Sequence, residues 1–366
     1  MKTSIHMVNI MGIPIKLHIT FLLILPVFVY IFSTNPSTFG FSDVEPASLK
    51  YLFSALTAIS LFVCVLLHEL GHSYVAKKHG VDIQSITLFL FGGVSSMEDI
   101  PRNPKTELKL AVAGPAVSLL IGSILIIIYN LYKMDNLFPI QNPSLRLIWV
   151  VGYINLILCI FNLIPAFPMD GGRVLRAWFA ERTSYIKATR TAAGIGKMFA
   201  ILMGIFGFLT VSIGGFWFML IAFFIYIGAS EEEKSTEVSI ALEGVKVKDI
   251  MSKDVKTVSS DMTVEELVDL MFKLKHMGYP VVDDGSLKGI VTFTDVQKIP
   301  KNERKNVQVS QVMTKGLITI KEDDDAVVAL KIMTVNNIGR IIVKNDGKMT
   351  GIVSRTDLLR AVQLLE

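Results

Sequence analysis

The segment His68-Glu69-Leu70-Gly71-His72 sets two imidazoles four residues apart with a carboxylate between them. On a helix, residues i and i+4 share one face, so both imidazoles can reach a single ion. Glu69 lies beside that face, where it can take a proton from a metal-bound water. This is the arrangement of a zinc hydrolase, in which the ion lowers the pKa of its water to about 7 and the carboxylate acts as general base. The motif sits inside an apolar run, where polar side chains are costly and mark function.

The run is one of several. The 366 residues are 51% hydrophobic and only 19% charged, below the charge content of an ordinary soluble domain. Up to Ser230 there are 16 basic and 10 acidic residues; from Glu231 onward there are 20 and 22. An apolar, mildly basic part therefore precedes a charged, near-neutral one, which excludes a single globular core, a disordered chain and a nucleic-acid binder. Membrane helices are expected at Leu17–Ser33, Leu52–Ala76, Leu108–Tyr132, Leu147–Phe167, Ala192–Val211 and Ile213–Ala229. Met1–Lys16 reads as a hairpin around Gly12-Ile13-Pro14, and the first span as retained rather than cleaved. Ile83–Ser96 is short, β-branched and contains Phe91-Gly92-Gly93, which predicts one or two strands dipping into the membrane. Such a strand could hold an extended substrate along its edge or simply pack on the core. With the N-terminus inside, twelve basic residues fall on inner segments and only Lys50, Lys133 and Arg146 on outer ones. That bias predicts an integral multi-pass protein, in the cell membrane, with both termini in the cytoplasm. Cys64 and Cys159 lie in apolar runs and read as small buried hydrophobes, not as a disulfide framework.

A catalytic zinc takes three protein ligands and leaves one position open. The fourth span runs into Asn162-Leu163-Ile164-Pro165-Ala166-Phe167-Pro168-Met169-Asp170-Gly171-Gly172-Arg173, where two prolines break the helix just before an acid. Asp-Gly-Gly can be an ordinary surface turn, but here it falls at the cytoplasmic end of its span, the depth expected for His72. Asp170 is the expected third ligand; Asp82, Glu98 and Asp99 are its rivals. Gly171 and Gly172 are expected to allow backbone angles that other residues resist. His6, His18 and His79 have no second ligand at helical spacing and read as structural.

Taken together, the His-Glu-x-x-His span and the later Asn-x-x-Pro-x-x-Pro-x-Asp-Gly-Gly segment resemble the site-2 protease family of intramembrane zinc metalloproteases, over about Gly12–Ala229. The resemblance implies His68, His72 and Asp170 as zinc ligands, Glu69 as catalytic base and Asn162 as a group that helps bind the peptide carbonyl. Met169 stands where Leu is commoner. Ser118, in Gly114-Pro115-Ala116-Val117-Ser118, stands where many members carry Asn, so the third span has either a polar role or only close helix packing.

Beyond a polar linker over 231–245 that begins with Glu231-Glu232-Glu233, the chain repeats itself. Val247–Met251 recurs at Val309–Met313 and Gly289–Asp295 recurs at Gly351–Asp357, both at an offset of 62 residues. Each copy reads as a strand, an amphipathic helix (Val264–Leu274, Ala326–Met333), two strands and a closing helix. This resembles a tandem pair of CBS modules (246–300 and 308–364), a soluble α/β domain. The resemblance implies an adenosine ligand (ATP, ADP or AMP) held through Thr292 and Asp295 and through Ser354 and Asp357, with phosphate at a helix N-terminus. The same residues also suit plain helix caps.

The expectation is a polytopic α-helical membrane domain (residues 1–230) with a short β element, followed by the CBS pair. It would act as a zinc-dependent intramembrane endopeptidase on a membrane-protein substrate in the lipid bilayer. The CBS pair would regulate it through an adenine nucleotide or join two copies as a homodimer. A CBS-gated divalent-metal transporter or channel is the alternative, although its path would need polar groups at several depths rather than one.

Overall fold

A computed structural model describes residues 4–36, 38–89, 92–97, 102–134, 142–210 and 213–365, and the chain divides into two compact units, Met1–Lys234 and Ser235–Glu366. Phe91, Glu98 and Asp99, all named above, lie outside the described residues.

The first unit opens with a hairpin of β1 (Ser4–Ile10) and β2 (Ile13–His18). Met11 and Gly12 both have positive φ, as a tight two-residue hairpin turn requires. Then follow α1 (Ile19–Thr34), α2 (Ala47–Lys78), β3 (Ile83–Phe89) and β4 (Gly92–Met97). The four strands form one sheet in chain order, with β2 and β3 parallel (Ile15 opposite Ile86) and the other pairs antiparallel. Its buried residues Ile13, Ile15 and Ile86 pack on Leu66 and Leu70 of α2, which lays the sheet alongside the His68–His72 segment. Among the described residues β4 has a neighbour on one side only and so forms an edge of the sheet.

The remaining helices of this unit are α3 (Pro104–Met134), α4 (Pro143–Asn162), α5 (Asp170–Ala180), α6 (Tyr185–Thr210) and α7 (Ile213–Ala241). Among the described residues five helices (α2, α3, α4, α6 and α7) are long and apolar enough to cross a membrane; α1, with 16 residues, is shorter. Leu22, Leu23, Phe206, Phe208, Phe223 and other large apolar side chains stay exposed, as expected of helices that face lipid. α3 packs against α2, α4 and α5, so it lies between the elements that bear the chemistry. Glu231, Glu232 and Glu233 are helical within α7 rather than part of an extended linker.

In the second unit the first repeat contains α8 (Val247–Ile250), α9 (Val264–Leu274), β5 (Gly278–Asp283), β6 (Ser286–Thr292) and α10 (Phe293–Gln297). The second contains α11 (Val309–Val312), β7 (Thr319–Lys321), α12 (Ala326–Val335), β8 (Arg340–Asn345), β9 (Lys348–Ser354) and α13 (Arg355–Leu365). Each repeat closes its core with the opening segment of the other. Val247 is buried among Ala329, Met333 and Val353, while Val309 is buried among Leu267, Val281 and Val291. The exchange is reciprocal down to single contacts. Met251 packs on Gly351 and Met313 on Gly289, at positions where a Cβ would lie within 3 Å of the sulfur. Ser252 bridges Ile352 as Thr314 bridges Ile290. Two repeats that complete one another in this way form one compact unit.

A candidate zinc centre in the membrane unit

Nε2 of His68, Nε2 of His72 and Oδ2 of Asp170 form a triangle with sides of 3.2 Å (His–His), 3.3 Å (His68–Asp170) and 3.1 Å (His72–Asp170). Ligands about 2.0–2.1 Å from a tetrahedral zinc stand about 3.3 Å apart, so the donor set and its spacing fit that ion. Among the described residues this is the one group of three His, Cys, Asp or Glu side chains able to share an ion. Asp82 is not in it; Glu98 and Asp99 lie outside the described residues. Both imidazoles are buried, 4% and 5% exposed.

Why the imidazoles point inward is visible in α3. Nδ1 of His72 lies 2.7 Å from the Leu110 carbonyl and Nδ1 of His68 lies 2.8 Å from Oγ of the fully buried Ser118. The Leu110 carbonyl can only accept, so His72 donates from Nδ1 and, when neutral, keeps Nε2 free as a ligand. Between them Gly114 faces the rings directly: a Cβ there would lie 2.2 Å from Nε2 of His72 and 2.6 Å from Nε2 of His68. Ser118 thus has a polar partner, and Gly114 provides the close approach.

Asp170 is the first residue of α5 and follows the loop 163–169 that leaves α4. Gly171 and Gly172 are not at positive φ, contrary to the expectation of unusual backbone angles. They are required for contact instead: a Cβ on Gly171 would lie 2.2 Å from the Ile164 carbonyl, and one on Gly172 2.6 Å from the Phe167 nitrogen. The loop folds onto the start of α5 and so directs Asp170 at the histidines. Farther along α5, buried Arg176 binds Glu107 of α3 (Nε to Oε1, 2.7 Å) and Glu232 of α7 (Nη1 to Oε1, 2.7 Å). Burial opposes its charge, but Glu107, Tyr185 and Glu232 together outweigh this and the guanidinium pKa rises. This anchor on both neighbouring helices had no signal in the sequence beyond a lone Arg and two distant acids.

Glu69 turns to the sheet. Ser95 of β4 donates to its Oε2 at 2.7 Å, and a Cβ on Gly93 would lie 2.4 Å from its Cγ. The β4 backbone therefore lies directly on the carboxylate. Asn162, the last residue of α4, donates its side-chain amide to its own helix at the Leu158 carbonyl, 2.9 Å away. Cys64 and Cys159 are buried free thiols. His6 bonds Asn9, His18 caps α1 through Thr20, and His79 contacts the Val75 carbonyl; none joins the triangle.

In the second unit Thr292 and Asp295 close a capping box, with the Thr hydroxyl donating to Oδ2 at 2.7 Å. Ser354 and Asp357 do the same at 2.6 Å. The helix-cap role is therefore filled at both sites. Each pair also lines a cleft, one of about 480 Å³ at Ser354 and Asp357 and one of about 450 Å³ at Thr292 and Asp295.

Residues 56–138 and 139–206 match the description Peptidase family M50, and residues 247–301 and 309–364 match CBS domain. The zinc metalloprotease MJ0392 of Methanocaldococcus jannaschii is 41% identical over 366 residues, covering 100% of this chain and 98% of that protein. A solved site-2 protease from Methanocaldococcus jannaschii is 43% identical and covers 63% of this chain and 95% of its own, with a TM-score of 0.44. The CBS domain pair of protein MJ0100, solved with 5′-methylthioadenosine and S-adenosyl-L-methionine, is 29% identical over 33% of this chain and 98% of its own, with a TM-score of 0.31.

Proposed function

The chain belongs to the site-2 protease family of zinc metalloproteases, peptidase family M50, with a C-terminal CBS pair, and from that premise we propose that it cuts a membrane-embedded segment of a substrate protein at the His68–His72–Asp170 centre. The observation that carries this reading is the triangle of two imidazole nitrogens and one carboxylate oxygen, buried between α2, α3 and α5 with Glu69 beside it. Zinc held there would polarise water and a peptide carbonyl. Glu69 takes the proton of the attacking water and returns it to the leaving amine as the C–N bond breaks. Ser95, donating to Oε2, orients that carboxylate. Asn162 offers its amide to the substrate carbonyl, using the N–H that its bond to Leu158 leaves available. The outer edge of β4 pairs with the unwound substrate strand, so the peptide is held extended next to Glu69.

In this reading both termini, and with them the CBS pair, are in the cytoplasm of a cell-membrane protein, which the excess of basic residues on one side supports. The CBS pair binds an adenine nucleotide through Thr292, Asp295, Ser354 and Asp357 and regulates cleavage, or joins two copies of the chain. Comparative membrane proteomics of cells carrying the wild type or Glu69→Gln tests the central reading. A membrane protein that accumulates uncleaved only in the variant supports it; identical membrane proteomes with active expression of both forms contradict it.

A further inference from the structure

The two clefts of the CBS pair are related by the repeat, position by position, yet their chemistry differs. At an offset of 62 residues Ser354 and Asp357 of the first cleft correspond to Thr292 and Asp295 of the second, and Thr356 corresponds to Thr294. The groups suited to ribose hydroxyls are thus kept. The charged groups are not. Lys256 and Asp254 in the first cleft correspond to Ile318 and Gly316 in the second. Lys275 and His276 correspond to Asn337 and Ile338.

Two further differences point the same way. Arg360 lines the first cleft; its counterpart Lys298 is absent from the lining of the second and is tied to Asp295 Oδ1 at 3.2 Å. That ion pair occupies Oδ1 of Asp295, whereas the bonds that Asp357 accepts from Ser354 both fall on Oδ2. Arg340 borders both clefts, and its counterpart in the first repeat is Gly278, against which its guanidinium packs. Burial lowers the pKa of Arg340, and Asp357 only partly offsets this, so the group gains from an added anion. The first cleft therefore has four basic side chains (Lys256, Lys275, Arg340 and Arg360) against two acids, Asp254 and Asp357. Lys256 pairs with Asp254 at 3.2 Å, as Lys298 does with Asp295, so the cationic excess of this cleft rests on Lys275, Arg340 and Arg360. The second has one of each, Arg340 and Asp295.

We infer that the two clefts take different ligands: the first a phosphorylated adenosine, the second an adenosine without phosphate charge. This rests on the adenine-nucleotide reading of the CBS pair given above. The selecting groups are His276 and Arg360, together with Lys256, whose exposed pair with Asp254 an entering phosphate would replace; the sister cleft replaces all three or turns them away, while the ribose-binding pair is common to both. A ligand phosphate entering the second cleft would leave water for Ile318 and Ile338, which offer it no hydrogen bond. In the first it meets charge-assisted donors.

Equilibrium dialysis of the full chain in detergent with radiolabelled AMP and, separately, radiolabelled adenosine tests the assignment. Lys256→Ile combined with His276→Ile, which installs the sister cleft's residues, is expected to weaken AMP binding by about tenfold or more. The same variant should bind adenosine as the wild type does, which also shows that it is folded. Asp357→Ala should abolish the AMP site and Asp295→Ala should spare it. AMP binding that survives Asp357→Ala, or is unchanged by the double substitution, overturns the assignment while leaving nucleotide binding intact. Absence of binding by both AMP and adenosine to the wild-type chain overturns the nucleotide reading itself, and this inference with it.

Discussion

A methyl group on Gly114 would stand 2.2 Å from Nε2 of His72 and is therefore incompatible with the present position of that ring. The two residues are 42 positions apart, on α3 and α2, and their contact sets how closely the helices approach at the metal-binding face. Gly114→Ala should push the imidazole off its site and lower zinc affinity by about 10–100-fold or more. Zinc content after dialysis against a weak chelator measures it; undiminished zinc in a folded variant would show that the rings have room to spare.

Gly93 has the same relationship to Glu69, through Cγ instead of a ligand atom. Gly93→Ala should therefore leave zinc in place and displace the base. A misplacement of about 1 Å can cost about 100-fold in rate. Cleavage of a membrane substrate should fall by that order at full zinc occupancy, a pattern opposite to that of Gly114→Ala, in which metal and activity are lost together.

Arg176 and Glu107 form an ion pair in which the two side chains are only 7% and 3% exposed. Removing one partner strands a buried charge, at a cost of about 3–5 kcal/mol. Arg176→Met should therefore lower the thermal midpoint of the detergent-solubilised protein substantially, and adding Glu107→Met should restore part of the loss. A single variant as stable as the wild type would mean that α5 is held by other contacts.

Much of this organisation could be read from local spacing. The i, i+4 histidines needed only a helix, and the apolar runs and the 62-residue offset marked the spans and the CBS pair. What could not be read were contacts made by residues without a chemical signature. Leu110 orients His72 through a backbone carbonyl, which any residue type would supply. Gly114 and Gly93 act by lacking a Cβ against partners far away in the chain. Gly171 and Gly172 drew attention as conformationally permissive residues, yet they serve close packing on Ile164 and Phe167. The repeat likewise revealed two similar units but not that Val247 and Val309 each complete the opposite core, because a period carries no information about which copy a segment packs on.

The most direct test of the proposed centre is the zinc content of purified full-length variants, measured by mass spectrometry after exposure to a weak chelator and paired with cleavage of a single-span substrate. The wild type and Glu69→Gln should each retain about one zinc per chain, since the carboxylate of Glu69 is no ligand, with cleavage lost in Glu69→Gln by about 10²–10⁴-fold. Asp170→Ala should lose both metal and activity, whereas Asp82→Ala, Glu98→Ala and Asp99→Ala should keep both. Full zinc occupancy in Asp170→Ala, with loss in one of the other three, would contradict the account by showing that a different carboxylate completes the site.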